Sequence, residues 1–341
     1  MHLPPHIARL LRSIPPRGRR AAAGLIGAHF VTATLLATCG VVTTVVHAET
    51  GARTRSVARE AVIHRFDQGL LWRIDAPMTA GAPPNGSHPS HLYGTVHIDD
   101  PRATSFSASV RRALATSRVF LPELLPDEAS AQAFVAATRA EPGRTLAELA
   151  GSEDFDRISD RLREHYGVPR ADASRLKPWA AYVFLSQPAR PMGEIVDAAL
   201  IRLARQQGLT IQPLETVSQQ IAAMEAVPIA SQLALVAALA RDHDTAMAQL
   251  DQLIELYLAQ DLAGLRRLEA SAVRDDPGLR QPMADFMEQI LDRRNERMLN
   301  TLMPQLEAGG AFAAVGALHL TGEHGLLSLL AQAGWRVRRV D

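Results

Sequence analysis

Two rhythms of apolar residues alternate along this chain, and each change of rhythm marks a change of element. Short apolar runs bounded by turn formers predict strands at 69–74, 91–98, 118–121, 209–215, 311–315 and 335–340. The segment 76–90 is rich in Pro, Gly, Asn and Ser, so the first two strands form a hairpin with a long connection. Helical spacing occupies 105–117, most of 127–187 with breaks at Pro142-Gly143 and 167–169, and 194–207, where Gly208 stops the helix. It dominates again from 218 to 306 and returns at 325–333. Lys177-Pro178-Trp179 opens a helix, since a first turn tolerates proline. Strands and helices alternate at both ends around a helical middle. The pattern predicts an α/β fold: a mixed central sheet built from N- and C-terminal strands, flanked by helices, with a large helical middle insertion.

Composition agrees. Aromatic residues make up 5% of the 341 and the apolar content is mostly Ala, Leu and Val, which suits helices on a sheet better than an all-β sandwich. Charge is uneven. The first 48 residues hold five arginines and no acid; the basic residues end at Arg20, an apolar run fills 21–46, and Val46-His47-Ala48 closes it. That order predicts a secretory signal peptide cut after Ala48 and a periplasmic protein. The competing reading is an uncleaved membrane anchor, because the run is long enough to span a bilayer. The chain then divides into 1–48 as signal or anchor, 49–68 as a linker and leading helix, and 69–341 as one domain. Beyond residue 48 there are 31 basic and 36 acidic residues with no basic cluster, which argues against nucleic-acid binding. The one cysteine, Cys39, lies in the leading run, so any metal ligands beyond it are His and carboxylates.

Eight histidines follow residue 48: His64, His88, His91, His97, His165, His243, His319 and His324. Most fall in loops or polar helix faces and read as ordinary surface residues. His97 and His319 differ. Each closes an apolar strand in a matched Gly-x-x-His frame, Gly94-Thr95-Val96-His97 and Gly316-Ala317-Leu318-His319. Open α/β sheets bind ligands at the carboxyl ends of their strands. Glu123 follows its own strand in the same way, and two imidazoles with a carboxylate make a usual catalytic metal set with a position open for water. The alternatives at this level are two unrelated hydrogen-bonded core histidines and a helix-capping glutamate. Asp99, Asp100 and Glu323 read better as exposed turn residues than as supports for the imidazoles; Glu215 is a candidate of lower rank. Asn295 is a poor helix former in a helical stretch, which implies a buried hydrogen-bonding task, and Arg294 beside it suits an oxyanion or carboxylate.

These residues together resemble the TraB/GumN family. Gly94-Thr95-Val96-His97 is similar to its opening motif, Glu123 to its glutamate after the next strand, and Lys177-Pro178-Trp179 to its mid-chain motif. Asp197, Leu214-Glu215 and Gln219 match further positions, Arg294-Asn295 its Arg-Asn pair, and Gly316 to Leu320 with Gly322, Glu323 and Gly325 its closing motif. Leu318 departs from it, standing where the family usually has a small residue. The family is similar to the Tiki membrane proteases, which cleave peptides with a divalent metal. The resemblance therefore implies a divalent ion (Mn, Co or Zn) on His97, Glu123 and His319, with catalytic or supporting parts for Glu123, Arg294 and Asn295. It implies a peptide or small-molecule substrate and no membrane contact beyond an uncleaved N-terminal segment. The alternative is a non-catalytic protein that sequesters a peptide or small ligand in the same crevice.

Overall fold

A computed structural model describes residues 65–77, 88–190, 192–271 and 276–340. The expected signal or anchor segment, nearly all of the leading segment and the middle of the hairpin loop lie outside these. Within them, β1 (Leu71–Asp75) and β2 (Ser90–Thr95) form the antiparallel hairpin, followed by β3 (Val119–Pro122), β4 (Thr210–Ile211), β5 (Ala311–Gly316) and β6 (Arg336–Arg339). They build one sheet in the order β4-β3-β5-β2-β1-β6. The neighbours from β4 to β2 run parallel, and β1 opposes both of its partners. The α/β architecture with a mixed sheet is as the pattern predicts.

Every residue of β2, β3 and β5 is buried, as expected where helices cover both faces of parallel strands. This is why 311–315 reads as an unbroken apolar run. The edge strand β6 instead buries Val337 alone and exposes its three arginines, which discourages pairing with another chain. Two expected strands end early. The ladder of β2 stops at Thr95, two residues short of His97. The ladder of β4 stops at Ile211 because Pro213 has no N–H to give. Its backbone nevertheless continues beside β3, through Gln212 N–H to Phe120 O, Leu214 N–H to Pro122 O and Glu215 N–H to Glu123 O.

The longer helices are α1 (Ala108–Ala115), α2 (Glu128–Ala137), α3 (Ser152–Tyr166), α4 (Pro178–Leu185), α5 (Val196–Gln206), α6 (Val217–Ala226), α7 (Ile229–Arg241), α8 (His243–Leu258), α9 (Leu262–Glu269), α10 (Arg280–Met287), α11 (Arg293–Ala308) and α12 (Leu326–Gln332). Local chemistry sets their ends. Asp127 caps α2, Thr216 and Gln219 form a reciprocal capping box on α6, and Gly167 closes α3 in the left-handed conformation at φ 66°. None of these helices is singly long and apolar enough to cross a membrane.

Apolar burial divides into two cores. One lies around the sheet, with Phe120, Phe312, Leu200 and Leu327; the other lies among the helices of the middle, with Ile158, Trp179, Val236 and Phe286. The segment running from α10 into α11 joins them: Met283 and Ile290 belong to the helical core, Met298 and Leu302 to the sheet core. A π-helical turn (Glu288–Asp292) widens the helix at this seam, immediately before Arg294.

Candidate functional site

Parallel register gathers the chemistry at one edge of the sheet. Thr95 lies opposite Gly316, and Pro122 opposite Ala314, so β2, β5 and β3 end nearly level. The residues just past those ends are His97, the tight 3-10 turn Ala317–His319, and Glu123. Gly94 makes the packing possible. A Cβ there would stand 2.8 Å from Leu320 Cδ1 and 3.2 Å from Ala317 Cα, so only glycine lets the turn after β5 rest on β2. Tyr257 of α8 fixes the same point, its hydroxyl donating to the Gly94 carbonyl at 3.0 Å.

Beneath the histidines lies a buried triad of charges. Arg294 is the largest fully buried side chain among the described residues, 1% exposed. Its guanidinium donates to Glu123 Oε1, to Glu215 Oε2 from Nε at 2.9 Å, and to the Ile290 carbonyl in the π turn at 3.3 Å. Glu123 also accepts from Gln220 Nε2 at 3.1 Å on Oε1 and from the Gly316 N–H at 3.0 Å on Oε2. Burial alone would raise the Glu123 pKa, but Arg294 first, and the two imidazoles after it, hold it down at about 2. Glu215 moves the other way: burial raises it against the pull of Arg294. Arg297, partly exposed, approaches the other Glu215 oxygen at 3.6 Å, so each buried carboxylate has a cation beside it.

Each histidine has one ring nitrogen assigned and the other bare. Asn295 Nδ2 donates to the His324 carbonyl at 2.8 Å, which leaves its Oδ1 to accept from His319 Nδ1 at 2.7 Å. His319 Nε2 then carries a lone pair, is buried without a hydrogen-bond partner, and lies 3.9 Å from Glu123 Oε2. Burial, with Arg294 and His97 adding to it against Glu123, lowers the His319 pKa to about 3, so the ring is neutral. His97 Nδ1 lies 3.1 Å from Asp197 Oδ2, and His97 Nε2 is likewise buried and unpartnered. Thr95 Oγ1 donates to the other Asp197 oxygen at 2.8 Å. Burial would lower the His97 pKa, but Asp197 and then Glu123 raise it.

These donors fit a divalent cation in kind. Two imidazole lone pairs and a carboxylate oxygen, each ring oriented from behind by an acid or an amide, are the usual ligands and supports of catalytic metals. In separation the set is open. Among the described residues, the group of three whose ligand atoms all lie within 4.8 Å of one another is His165, His243 and Asp244, elsewhere in the molecule. Two spaces adjoin the histidines. A cleft of about 480 Å³ is lined by His97, Glu123, Asp197, Glu194 and Arg202. A second pocket of about 70 Å³ has walls of Leu253, Leu268, Phe286 and Leu318, with His97, His319 and Glu269 at its edge.

Of the residues expected from sequence, His97, His319, Glu123, Arg294 and Asn295 come together at one sheet edge. A substrate-facing part for Arg294 and Asn295 does not match their surroundings: both are 1% exposed and hydrogen-bonded inside the protein, Arg294 to Glu123 and Asn295 to His319. They hold Glu123 and His319 in place. Glu215 joins the triad. Asp99 is bound by Arg190 and Asp100 caps a short helical turn, so both are structural turn residues. The surface reading fails for His243, which is fully buried, and for His91, which points into the sheet core and whose pKa burial lowers to about 4. Residue reasoning missed Gln220, Thr95, Tyr257 and Glu269. Asp197 was visible only through the family resemblance, as an acid in the first turn of an amphipathic helix.

A family model described as the TraB/PrgY/gumN family matches residues 83–339. No curated protein and no solved structure matches the chain.

Proposed function

The chain belongs to the TraB/PrgY/gumN family, and from that premise we propose a metal-dependent hydrolase acting on peptides. One observation carries this reading. A neutral imidazole lone pair on His319 and a carboxylate oxygen of Glu123 face each other, buried, at 3.9 Å, with the bare nitrogen of His97 on the same edge. Two acceptors in that arrangement repel unless a cation lies between them. His97, His319 and Glu123 would hold it; a bound Mn, Co or Zn ion lowers the pKa of water and polarises a carbonyl.

The chain's own residues supply the rest. Asp197 lies against His97 Nδ1 and Asn295 Oδ1 accepts from His319 Nδ1, so the Nε2 atoms are the ones left for a cation; His97 lines the cleft, and both histidines line the smaller pocket beside it. Arg294 and Gln220 fix Glu123 and keep it ionised. Glu123 already accepts from three donors, which makes it a better ligand than general base. The ~480 Å³ cleft has room for a peptide segment, and the Arg202–Glu194 ion pair forms part of its wall. The N-terminal basic and apolar pattern supports export to the periplasm.

The three donors on Glu123 also favour a second reading, a binding protein that sequesters a peptide or small ligand without turnover. Incubating the protein with a peptide library and Mn, Co or Zn separates the two. Cleavage that disappears in His319→Ala and Glu123→Gln supports hydrolysis. Peptide retention without cleavage under every metal supports sequestration, and equal cleavage by all three proteins rejects the site.

A further inference from the structure

The middle of the chain holds a second group of ligand-type side chains, far in sequence from both Gly-x-x-His motifs. The C-terminal turn of α3 presents His165, and the first turn of α8 presents His243 and Asp244. The two rings stand 4.3 Å apart, centroid to centroid. Asp244 Oδ1 lies 3.9 Å from His165 Nε2 and 3.9 Å from His243 Nδ1. Both ring nitrogens are buried and have no hydrogen-bond partner, and the His243 side chain is 0% exposed.

The surroundings fix the protonation of His243. Its Nε2 is 3.1 Å from the Tyr166 hydroxyl, whose proton is drawn to the Gln187 carbonyl at 2.5 Å and the Leu185 carbonyl at 3.1 Å. The hydroxyl has one proton to give, so towards His243 its oxygen accepts. Nε2 carries the ring proton and Nδ1 the lone pair, and that lone pair faces His165 and Asp244. An imidazole whose far nitrogen is tied to a fixed acceptor is the usual form of a metal-ligating histidine. Arg161 takes the other oxygen of Asp244 at 3.3 Å and leaves Oδ1 turned to the rings. Burial, then His165 and Arg161, lower the His243 pKa against Asp244, which keeps the ring neutral and able to coordinate.

We propose that His165, His243 and Asp244 form a second divalent-metal site, one that takes zinc with a fourth position open to water. Two imidazoles and a carboxylate are a common zinc set. Ligand atoms around tetrahedral zinc are about 3.3–3.5 Å apart, from bond lengths of about 2.0–2.1 Å. The 3.9 Å separations need about half an ångström of closure, which the exposed Asp244 side chain can supply by a small shift against its contact with Arg161. The ion would staple the end of α3 to the α7–α8 junction and so brace the helical middle against which α10 packs. The site does not depend on the hydrolase reading.

The test is zinc titration of the full chain carrying His97→Ala and His319→Ala, against a competing chromophoric chelator. Retention of one zinc equivalent, with affinity reduced at least about tenfold by further His165→Gln or Asp244→Asn, supports the site. Circular dichroism checks that each variant folds. No retained zinc, or retention that both further substitutions leave unchanged, overturns it and leaves two stacked imidazoles with a structural role alone. An anomalous zinc-edge map of the unaltered chain decides the same point if the variants fail to fold: density between His165 and His243 supports the site, and its absence there overturns it.

Discussion

Replacing Arg294 with methionine, of similar length but without charge, tests the triad most sharply. The substitution leaves Glu123 and Glu215, 4% and 1% exposed, without their shared cation. Removing one partner of a buried ion pair destabilises by about 3–5 kcal/mol. An unpaired buried carboxylate can escape that penalty by taking a proton, which costs about 1.4 kcal/mol for each pH unit above its ordinary pKa of 4.5. At about pH 7.5 this comes to about 4 kcal/mol, and at about pH 5.5 to about 1.4 kcal/mol. The sign follows from linkage. In the variant the folded-state pKa of the pair lies above the unfolded value, so stability is fully present below pH 4.5 and is lost as pH rises. In the unaltered protein Glu123 titrates at about 2 when folded and is ionised in both states throughout this range. Its contribution is lost only as pH falls from 4.5 towards 2. The deficit of Arg294→Met should therefore shrink by about 2–3 kcal/mol between about pH 7.5 and pH 5.5. Urea denaturation followed by circular dichroism, with chelator in all samples, measures it. A deficit below about 1 kcal/mol at pH 7.5, or one that does not change with pH, would mean that Arg294 does not neutralise the two buried carboxylates.

Three further outcomes follow from the same geometry. Gly94→Ala should lower stability by about 1–3 kcal/mol in thermal or urea denaturation, because the new methyl meets the Ala317 backbone as well as two leucines. Burial raises the pKa of Glu269 from 4.5 to about 7, against the pull of Arg266. Stability held below pH 4.5 is then lost as pH rises through 7, by roughly 3 kcal/mol, and Glu269→Gln should flatten that part of the stability profile. Asp197→Asn should weaken manganese or cobalt binding by about 10–100-fold in calorimetric titration while leaving the fold intact, since it loosens the hold on His97.

Which parts of this were legible in the sequence depends on the range of the forces involved. Strands such as 311–315 were readable because complete burial demands an unbroken apolar run, and the helix start at Lys177-Pro178-Trp179 because a proline acts on its own first turn. The pairing of Glu123 with Arg294, 171 residues apart, was not readable. An arginine next to an asparagine in a helix looks the same whether it faces solvent or a buried carboxylate. Only the π turn and the parallel register bring it under β3. The same limit explains His243, which was read as a polar helix residue although α3 and α4 cover it. His97 and His319 were legible as a pair because their contexts match locally, whereas their supports, Asp197 and Thr95, carry no local mark of their own.

The most direct measurement is an anomalous difference map from crystals of the protein grown with manganese. A peak is expected within reach of His97 Nε2, His319 Nε2 and the free side of Glu123. Density elsewhere in the molecule with none at this sheet edge would contradict it.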